Sequence, residues 1–328
     1  MTGQLDQFSR VVAADLAALL ERVAAEDGPM ADPTTLPAAE GRALSNAANR
    51  RWNRDLPAMA AVHDVVVPAD TQLGSADCQL KVLVPANARP GAILYCHGGG
   101  FAFGSPQTHE RCARVLALES GLPVVLPDYR LAPEHPFPAG LRDCVACLRA
   151  LFPATAGTGV RPGPILVAGD SAGANLAVAA MLHEQREGRP LPAGALLFYG
   201  GYDADFETPS YRYFSEGPGL TRGRMQRYWD WYAPDLASRR DPLAAPLHAD
   251  DAALLALPPL YLTAAGIDPS LSDTLNLAAR LNGLGRAQAV HVVPGVTHGF
   301  LQMTSGLAAA RETLAGAGAA ARAMTRAA

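Results

Sequence analysis

Residues 165–182, ILVAGDSAGANLAVAAML, set one serine between an apolar run and a run of small residues at helical spacing. Gly169 and Gly173 stand two positions to either side of Ser171. A hydroxyl at the tip of a tight strand-to-helix turn is exposed for attack on a carbonyl carbon. Residues two positions away must then be small, or their side chains strike the strand or the helix. Such a tip carries about 1–3 kcal/mol of backbone strain, which is tolerated where function uses it. A helix starting near Ala172 adds the positive end of its dipole beside the hydroxyl. The chemistry is nucleophilic catalysis by Ser171. Close helix–strand packing would also ask for the two glycines, whereas a dinucleotide loop needs a G-x-G-x-x-G spacing that this segment lacks.

Serine attack on an ester creates an oxyanion, which needs backbone N–H donors already aimed at it. ILYCHGGGFAFGS, residues 93–105, follows an apolar strand pattern, and its three glycines let the backbone approach a ligand closely. Gly99, Gly100 and Ala172 are the expected donors of an oxyanion hole, with Gly98 the lesser choice. His97 is expected to hold this loop by a local hydrogen bond rather than to act in catalysis.

The hydroxyl needs a base, and the base an orienting carboxylate. In α/β hydrolases, whose elbow this motif resembles, the chain order is serine, acid, histidine. His183 lies in the helix leaving the turn, His248 in a long interval between strands, and His291 inside a strand pattern. His298, in PGVTHGF, follows the last strand pattern directly and is the expected base. The stretch PPLYLTAAGIDPSLSD offers two acids, Asp268 in the turn and Asp273 in the first turns of the next helix. The turn position favours Asp268, while Asp273 is also read as a favourable charge at a helix N-terminus.

These groups need a scaffold. Eight strand patterns run over 62–67, 78–84, 91–96, 123–126, 164–168, 194–199, 259–264 and 288–293, several of them unbroken apolar runs of the kind found in strands covered on both faces. Helical patterns at 107–120, 138–151, 172–187, 271–283 and 307–325 alternate with them, which predicts a mostly parallel, doubly wound α/β sheet. No helical pattern separates the first two strands, which are free to pair antiparallel. The interval between the sixth and seventh strands is too long for an ordinary connection. It holds Tyr228, Trp229, Trp231 and Tyr232 on a helix that Thr221 can cap; these form either an aromatic face packed on the domain or a lid over a pocket, and the lid is favoured because strand ends present ligands there. The predicted division is N-terminal cap helices over 1–55, core over 56–200, cap insertion over 201–250 and core again over 251–328.

The chain of 328 residues, 49% hydrophobic, can bury a large core, roughly 75% of its unfolded surface. A formal net charge of −4 argues against a nucleic-acid surface. The five cysteines have no disulfide-framework spacing, and Cys144 and Cys147 are expected on the apolar face of a helix rather than in a redox or zinc pair. Charges break the apolar positions of the N-terminus, and no run reaches the ~18 apolar residues of a membrane span. A soluble, cytoplasmic protein is expected, with no metal.

HGGGFAFGS, PDYRLAPEHPFPAGLRDC, GDSAGANLA, GIDPSLSD and VTHGF occur in that order. Together they resemble the bacterial hormone-sensitive-lipase-like esterases of family IV, in the subgroup with G-D-S-A-G. The resemblance implies an α/β-hydrolase fold with a helical cap and hydrolysis of carboxylic esters of short to medium acyl chain, without a cofactor. It further implies that Asp128, Arg130 and Glu134 make buried or half-buried polar contacts under the site. The acid turn departs from the usual D-P-L, because Ser270 follows Pro269. Phe101, Tyr202, Phe214 and Phe300 are candidates for lining the substrate pocket. An amidase, deacetylase or lactonase with the same triad, a non-catalytic small-molecule receptor, and a homodimer all stay open at this level.

Overall fold

The computed structural model describes residues 8–327. All eight predicted strands are present: β1 (Ala61–Val67), β2 (Cys78–Val84), β3 (Ala92–Cys96), β4 (Val124–Pro127), β5 (Ile165–Asp170), β6 (Gly194–Phe198), β7 (Leu260–Ile267) and β8 (Val290–Thr297). They form one sheet in the order β1-β2-β4-β3-β5-β6-β7-β8. β2 pairs antiparallel with both β1 and β4, and every other pairing is parallel. β5, β7 and β8 run two or more residues past the C-terminal ends of their apolar patterns, because polar and glycine-containing ends still pair. Asp170 pairs with Phe198, and Ile267 with Thr297.

The apolar runs divide between two faces. Ile93, Leu166 and Leu196 point to one side, where Leu116 of α3 (Glu110–Ser120) and Leu314 of α10 (Ala308–Ala327) cover them. Leu94, Val167, Leu197 and Leu262 point to the other, under Leu148 of α4 (Ala139–Ala154), Val178 of α5 (Ala172–Arg186) and Leu277 of α9 (Leu271–Gly283). With both faces covered, an unbroken apolar run suits these strands better than an alternating one. Cys144 and Cys147 of α4 are buried free thiols, as their helical spacing predicts. The predicted helix at 107–120 begins instead at Glu110. The hydroxyls of Ser105 and Thr108 hold the preceding residues in a turn, with Ser105 N donating to Thr108 Oγ1 at 2.9 Å.

The chain passes from β3 to β4 on one side and then to β5 on the other, so the order reverses at β3. Loops after strands that flank such a reversal form a crevice at the strands' C-terminal ends. Cys96 at the end of β3 pairs with Gly169 of β5, which places the glycine-rich loop beside the serine turn. β7 and β8 are likewise neighbours and bring residues 268 and 298 together.

Before β1 lie α1 (Ala14–Asp27) and α2 (Ala38–Asn49), joined by a short turn at Pro33–Thr35. Between β6 and β7 lie α6 (Pro209–Tyr213), α7 (Arg222–Tyr232) and α8 (Asp251–Leu255). Thr221 caps α7, its side chain accepting from Arg224 N, as predicted. The two segments meet directly. Arg227 of α7 donates to Asp32 Oδ2 at 2.6 Å and to Thr34 Oγ1 at 2.7 Å, and Arg224 stands 3.1 Å from the same carboxylate. No described helix is long and apolar enough to cross a membrane.

Truncating Ile93, fully buried in the central strand β3, is expected to lower unfolding free energy in urea by about 2–5 kcal/mol, with little change in the denaturant slope.

Candidate active site

Ser171 ends β5 and precedes α5 with φ 54° and ψ −121°, a backbone conformation uncommon for any residue with a side chain. Its N–H donates to Phe198 O at 2.9 Å, which anchors the turn to β6. The flanking glycines are required by contact. A Cβ on Gly169 would lie 2.3 Å from Gly173 O, and one on Gly173 would lie 2.0 Å from Cys96 O. Both obstacles are backbone and cannot step aside.

His298 follows β8 directly. Its Nε2 lies 2.7 Å from Ser171 Oγ, and its Nδ1 lies 2.7 Å from Asp268 Oδ2. Asp268 is fully buried and lies in the turn after β7. Its second oxygen, Oδ1, accepts from Ser270 N and from Ser270 Oγ, each at 2.8 Å. The three side chains predicted as nucleophile, base and acid therefore form one hydrogen-bonded chain.

The rejected alternatives are elsewhere. His183 sits 3.2 Å from Glu184, His248 sits 3.0 Å from Asp203, and His291 stacks on Tyr261. Asp273 is buried and turned toward the loop after β6, where Oδ2 accepts from Tyr202 N at 2.9 Å and Asp203 N at 3.3 Å. Burial, with Asp203 nearby, pushes its carboxyl well above the usual range.

The loop after β3 is pinned from below. Asp170, next to the serine, is 2% exposed, and its Oδ1 accepts from Gly98 N and from Tyr95 OH, each at 2.9 Å. That bond occupies the Gly98 N–H, whereas Gly99 and Gly100 N–H make no turn or loop hydrogen bond among the described residues. Ala172 is the first residue of α5, where the N–H has no partner inside the helix. Gly99 and Gly100 have φ of 124° and 59°, and a Cβ on Gly100 would run into the Tyr228 ring at 2.3 Å. His97 Nδ1 lies 2.9 Å from Gly98 O, and its ring stacks on Tyr129 at 4.3 Å. Burial, reinforced by His109, pushes His97 down to about 3, so the ring is neutral.

Asp170 also faces buried His109, whose Nε2 lies 3.4 Å from Oδ1, and Tyr199, whose hydroxyl lies 3.4 Å from Oδ2. Burial alone would raise the Asp170 carboxyl, but His109 and these hydrogen bonds outweigh it and hold it below the ordinary value. For His298, burial pushes the pKa down, while the charge of Asp268, its hydrogen bond and the more distant Asp170 push it up. The net direction is up from 6.5.

The aromatic candidates fall into two groups. Phe101 stacks on Tyr232 at 3.6 Å and meets Trp229 edge-on, beside the glycine loop. Phe300, Tyr202 and Phe214 are all fully buried and line no open pocket, contrary to expectation; Phe300 packs 5.5 Å from Tyr199, whose ring lies 4.9 Å from His298. Tyr202 is fully buried in the core under α5 and α9, and Phe214 is fully buried against Phe8, Ile267 and Leu271. The implied polar floor is present in part. Arg130 makes a bidentate pair with buried Asp143, with both contacts at 2.8 Å, and exposed Glu134 pairs with Arg42 of α2. Asp128 is exposed, because it ends the strand pairing where the chain turns to solvent.

Ser270, His109, Gln302 and Arg42 were not singled out from the sequence. Only Ser270 carried a local signal, as the departure in the acid turn. Gln302 Nε2 lies 2.8 Å from His109 Nε2, and Arg42 donates to Ala102 O and Ala132 O, each at 2.7 Å. These are pairings of residues distant in the chain.

With Ser171 read as nucleophile and His298 as its base, the rate of modification by a p-nitrophenyl phosphonate is expected to rise with pH and level off at a midpoint above 6.5. A midpoint at or below 6.5 in stopped-flow release of p-nitrophenol is the contrary result. Gly173→Ala is expected to abolish this labelling or unfold the chain, since its Cβ meets a backbone carbonyl.

Comparison with known proteins places this geometry among relatives. The α/β hydrolase fold family's profile matches residues 93–302. The chain is 35% identical over 286 residues to carboxylesterase NlhH of Mycobacterium tuberculosis, covering 85% of this chain and 88% of that protein. It is 34% identical over 225 residues to an ethyl acetate hydrolase of Pseudomonas putida, covering 68% and 70%. Among solved structures, a thermostable esterase from Pseudomonas putida superposes with TM-score 0.87 at 29% identity, covering 97% of this chain and 98% of that one. A hyperthermophilic esterase from the archaeon Pyrobaculum calidifontis gives 0.85 at 28%, covering 96% and 99%. With an eight-stranded sheet, an elbow serine and relatives of this kind along most of its length, the chain belongs to the α/β hydrolase fold family, in the bacterial hormone-sensitive-lipase-like group known as family IV.

Proposed function

We propose that this chain hydrolyses carboxylic esters of short to medium acyl chain through an acyl-enzyme on Ser171. The observation that carries the reading is the imidazole of His298, 2.7 Å from the Ser171 hydroxyl on one side and 2.7 Å from the Asp268 carboxylate on the other. In the first half, Ser171 Oγ attacks the ester carbonyl carbon while His298 Nε2 takes its proton. Asp268 keeps the Nδ1 proton in place and stabilises the imidazolium. The oxyanion is held by the N–H groups of Gly99, Gly100 and Ala172. Collapse breaks the bond to the leaving oxygen, which takes the proton back from Nε2 and departs as an alcohol. In the second half, water gives its proton to Nε2, attacks the acyl carbon and releases the acid, returning Ser171 to its hydroxyl.

Residues 1–7 of the expected cap lie outside the described residues, and the described residues 8–55 and the segment 201–250 act together as the cap of this reading. They are tied to each other by Arg227 and Asp32, and to the glycine loop by Arg42 and the aromatic contacts of α7. Phe101 stands where the loop meets the cap, and Phe300 is buried against Tyr199, whose ring lies beside the imidazole. In this reading Phe101 shapes the pocket, with Phe300, Tyr202 and Phe214 supporting from the core.

Ser171→Ala is expected to keep its circular dichroism spectrum and lose at least about 10⁴-fold in kcat toward p-nitrophenyl acetate. Asp268→Asn is expected to fall by a comparable factor through the wrong imidazole tautomer. The wild type is expected to show a burst of p-nitrophenol at one equivalent per chain when deacylation is the slower half. Near-normal turnover by Ser171→Ala would overturn the proposal.

A further inference from the structure

The turn carrying Asp268 holds a second buried hydroxyl that the reaction as written does not use. Ser270 is 0% exposed. Its backbone N–H and its Oγ both reach Asp268 Oδ1 at 2.8 Å, and the same Oγ lies 3.4 Å from His298 Nδ1. The two carboxylate oxygens are thus divided, with Oδ1 for Ser270 and Oδ2 for His298. A buried hydroxyl has to donate its proton. Nδ1 already carries the proton that faces Oδ2, so the Ser270 O–H goes to Oδ1, and an Oγ lone pair is left facing Nδ1–H. A leucine here, as in the D-P-L turn, would leave Oδ1 with a backbone N–H alone.

We propose that Ser270 is a positioning residue whose hydroxyl locks the Asp268 carboxylate in the plane that aims Oδ2 at His298. The inference rests on the Ser-His-Asp reading above. Two donors on Oδ1 resist rotation of the carboxylate, whereas one donor permits it. The O–H also draws part of the carboxylate's charge toward Oδ1 and away from the imidazole. Without it, Oδ2 holds an imidazolium more tightly, and the base stays protonated to higher pH. The other groups facing the imidazole are Asp170 from the end of β5, Tyr199 from the end of β6 and Ser171. Asp273 of α9 and Tyr211 of α6 stand near Asp268. A change at residue 270 alters none of these.

The test compares Ser270→Ala, Ser270→Gly and Ser270→Thr with the wild type. Each full chain is titrated for active sites with a p-nitrophenyl phosphonate and assayed on p-nitrophenyl acetate from pH 5 to 9. Loss of the hydroxyl is expected to lower kcat about tenfold with KM unchanged, the scale of one buried hydrogen bond to a charged group. The acid limb of kcat/KM is expected to move up by about half a pH unit, and Ser270→Thr, which keeps the O–H, to restore it. A wild-type profile in Ser270→Ala, a loss confined to KM, or an unmoved acid limb overturns the proposal. So does failure of both truncations to fold, since the hydroxyl would then hold the turn rather than tune it. Ser171→Ala runs in the same assay. If it is active, the triad reading itself fails; if it is inert while Ser270→Ala behaves as wild type, only the role of Ser270 fails.

Discussion

The imidazole of His298 must satisfy two oxygens at once. It can do so only if a hydroxyl from β5 and a carboxylate from β7 are held 2.7 Å from its two nitrogens by a loop after β8. Three strand ends must therefore be fixed relative to each other to within a fraction of an ångström. The parallel pairings from β5 through β8 do this, because each ladder sets the height of one loop against the next. In the proposed reaction, a flexible attachment of any one of the three would cost orders of magnitude in rate through misplacement alone.

The same arrangement places two carboxylates close to one imidazole in a region shielded from water. Asp268 and Asp170 are both buried, and burying a charge is costly unless it is paired and hydrogen-bonded. Each is supplied with donors: Ser270 twice and His298 for Asp268; Gly98, Tyr95 and Tyr199 for Asp170, with the His109 ring beside it. The donors of Asp170 come from the β3 strand and its loop and from the end of β6, and His109 packs beside it from the start of α3. One carboxylate thereby ties the glycine loop, the base of the elbow and the shelf behind the imidazole into a single rigid body. Preorganisation of this kind lets N–H dipoles act on developing charge without first being reoriented.

Above this body lies an aromatic layer. Tyr228 lies against Gly100, Phe101 stacks on Tyr232, and Phe103 meets Tyr228 and Trp231. Trp229 and Tyr232 are buried, so this face of α7 packs onto the domain while Tyr228 and Trp231 remain partly open. Arg42 binds the carbonyls of Ala102 and Ala132 and the Glu134 carboxylate, joining α2 to two loops of the site. α2 and α7 are thus coupled to the glycine-rich loop after β3.

Much of this was legible without coordinates, because some constraints are local. The elbow needs small residues two positions from its tip, so Gly169 and Gly173 announce it. Strands buried on both faces must be apolar throughout, so the sheet announces itself in runs such as AILY and ALLF. Chain order separated His298 from His183, His248 and His291, and position in the turn separated Asp268 from Asp273. What the residues could not carry was partnership at a distance. Nothing in SPQTHERC marks His109 as the buried neighbour of Asp170, and nothing around Arg42 names the carbonyls it binds. The direction of the Asp273 carboxylate, toward the loop after β6, and the exposure of Asp128 are also outside the reach of spacing. The sequence by itself determined which side chains have the right chemistry and lie just beyond strand ends, because turn sterics and apolar periodicity act within a few residues. Only the tertiary structure decided which of them meet, because strand order, register and side-chain rotamers depend on contacts between segments far apart in the chain.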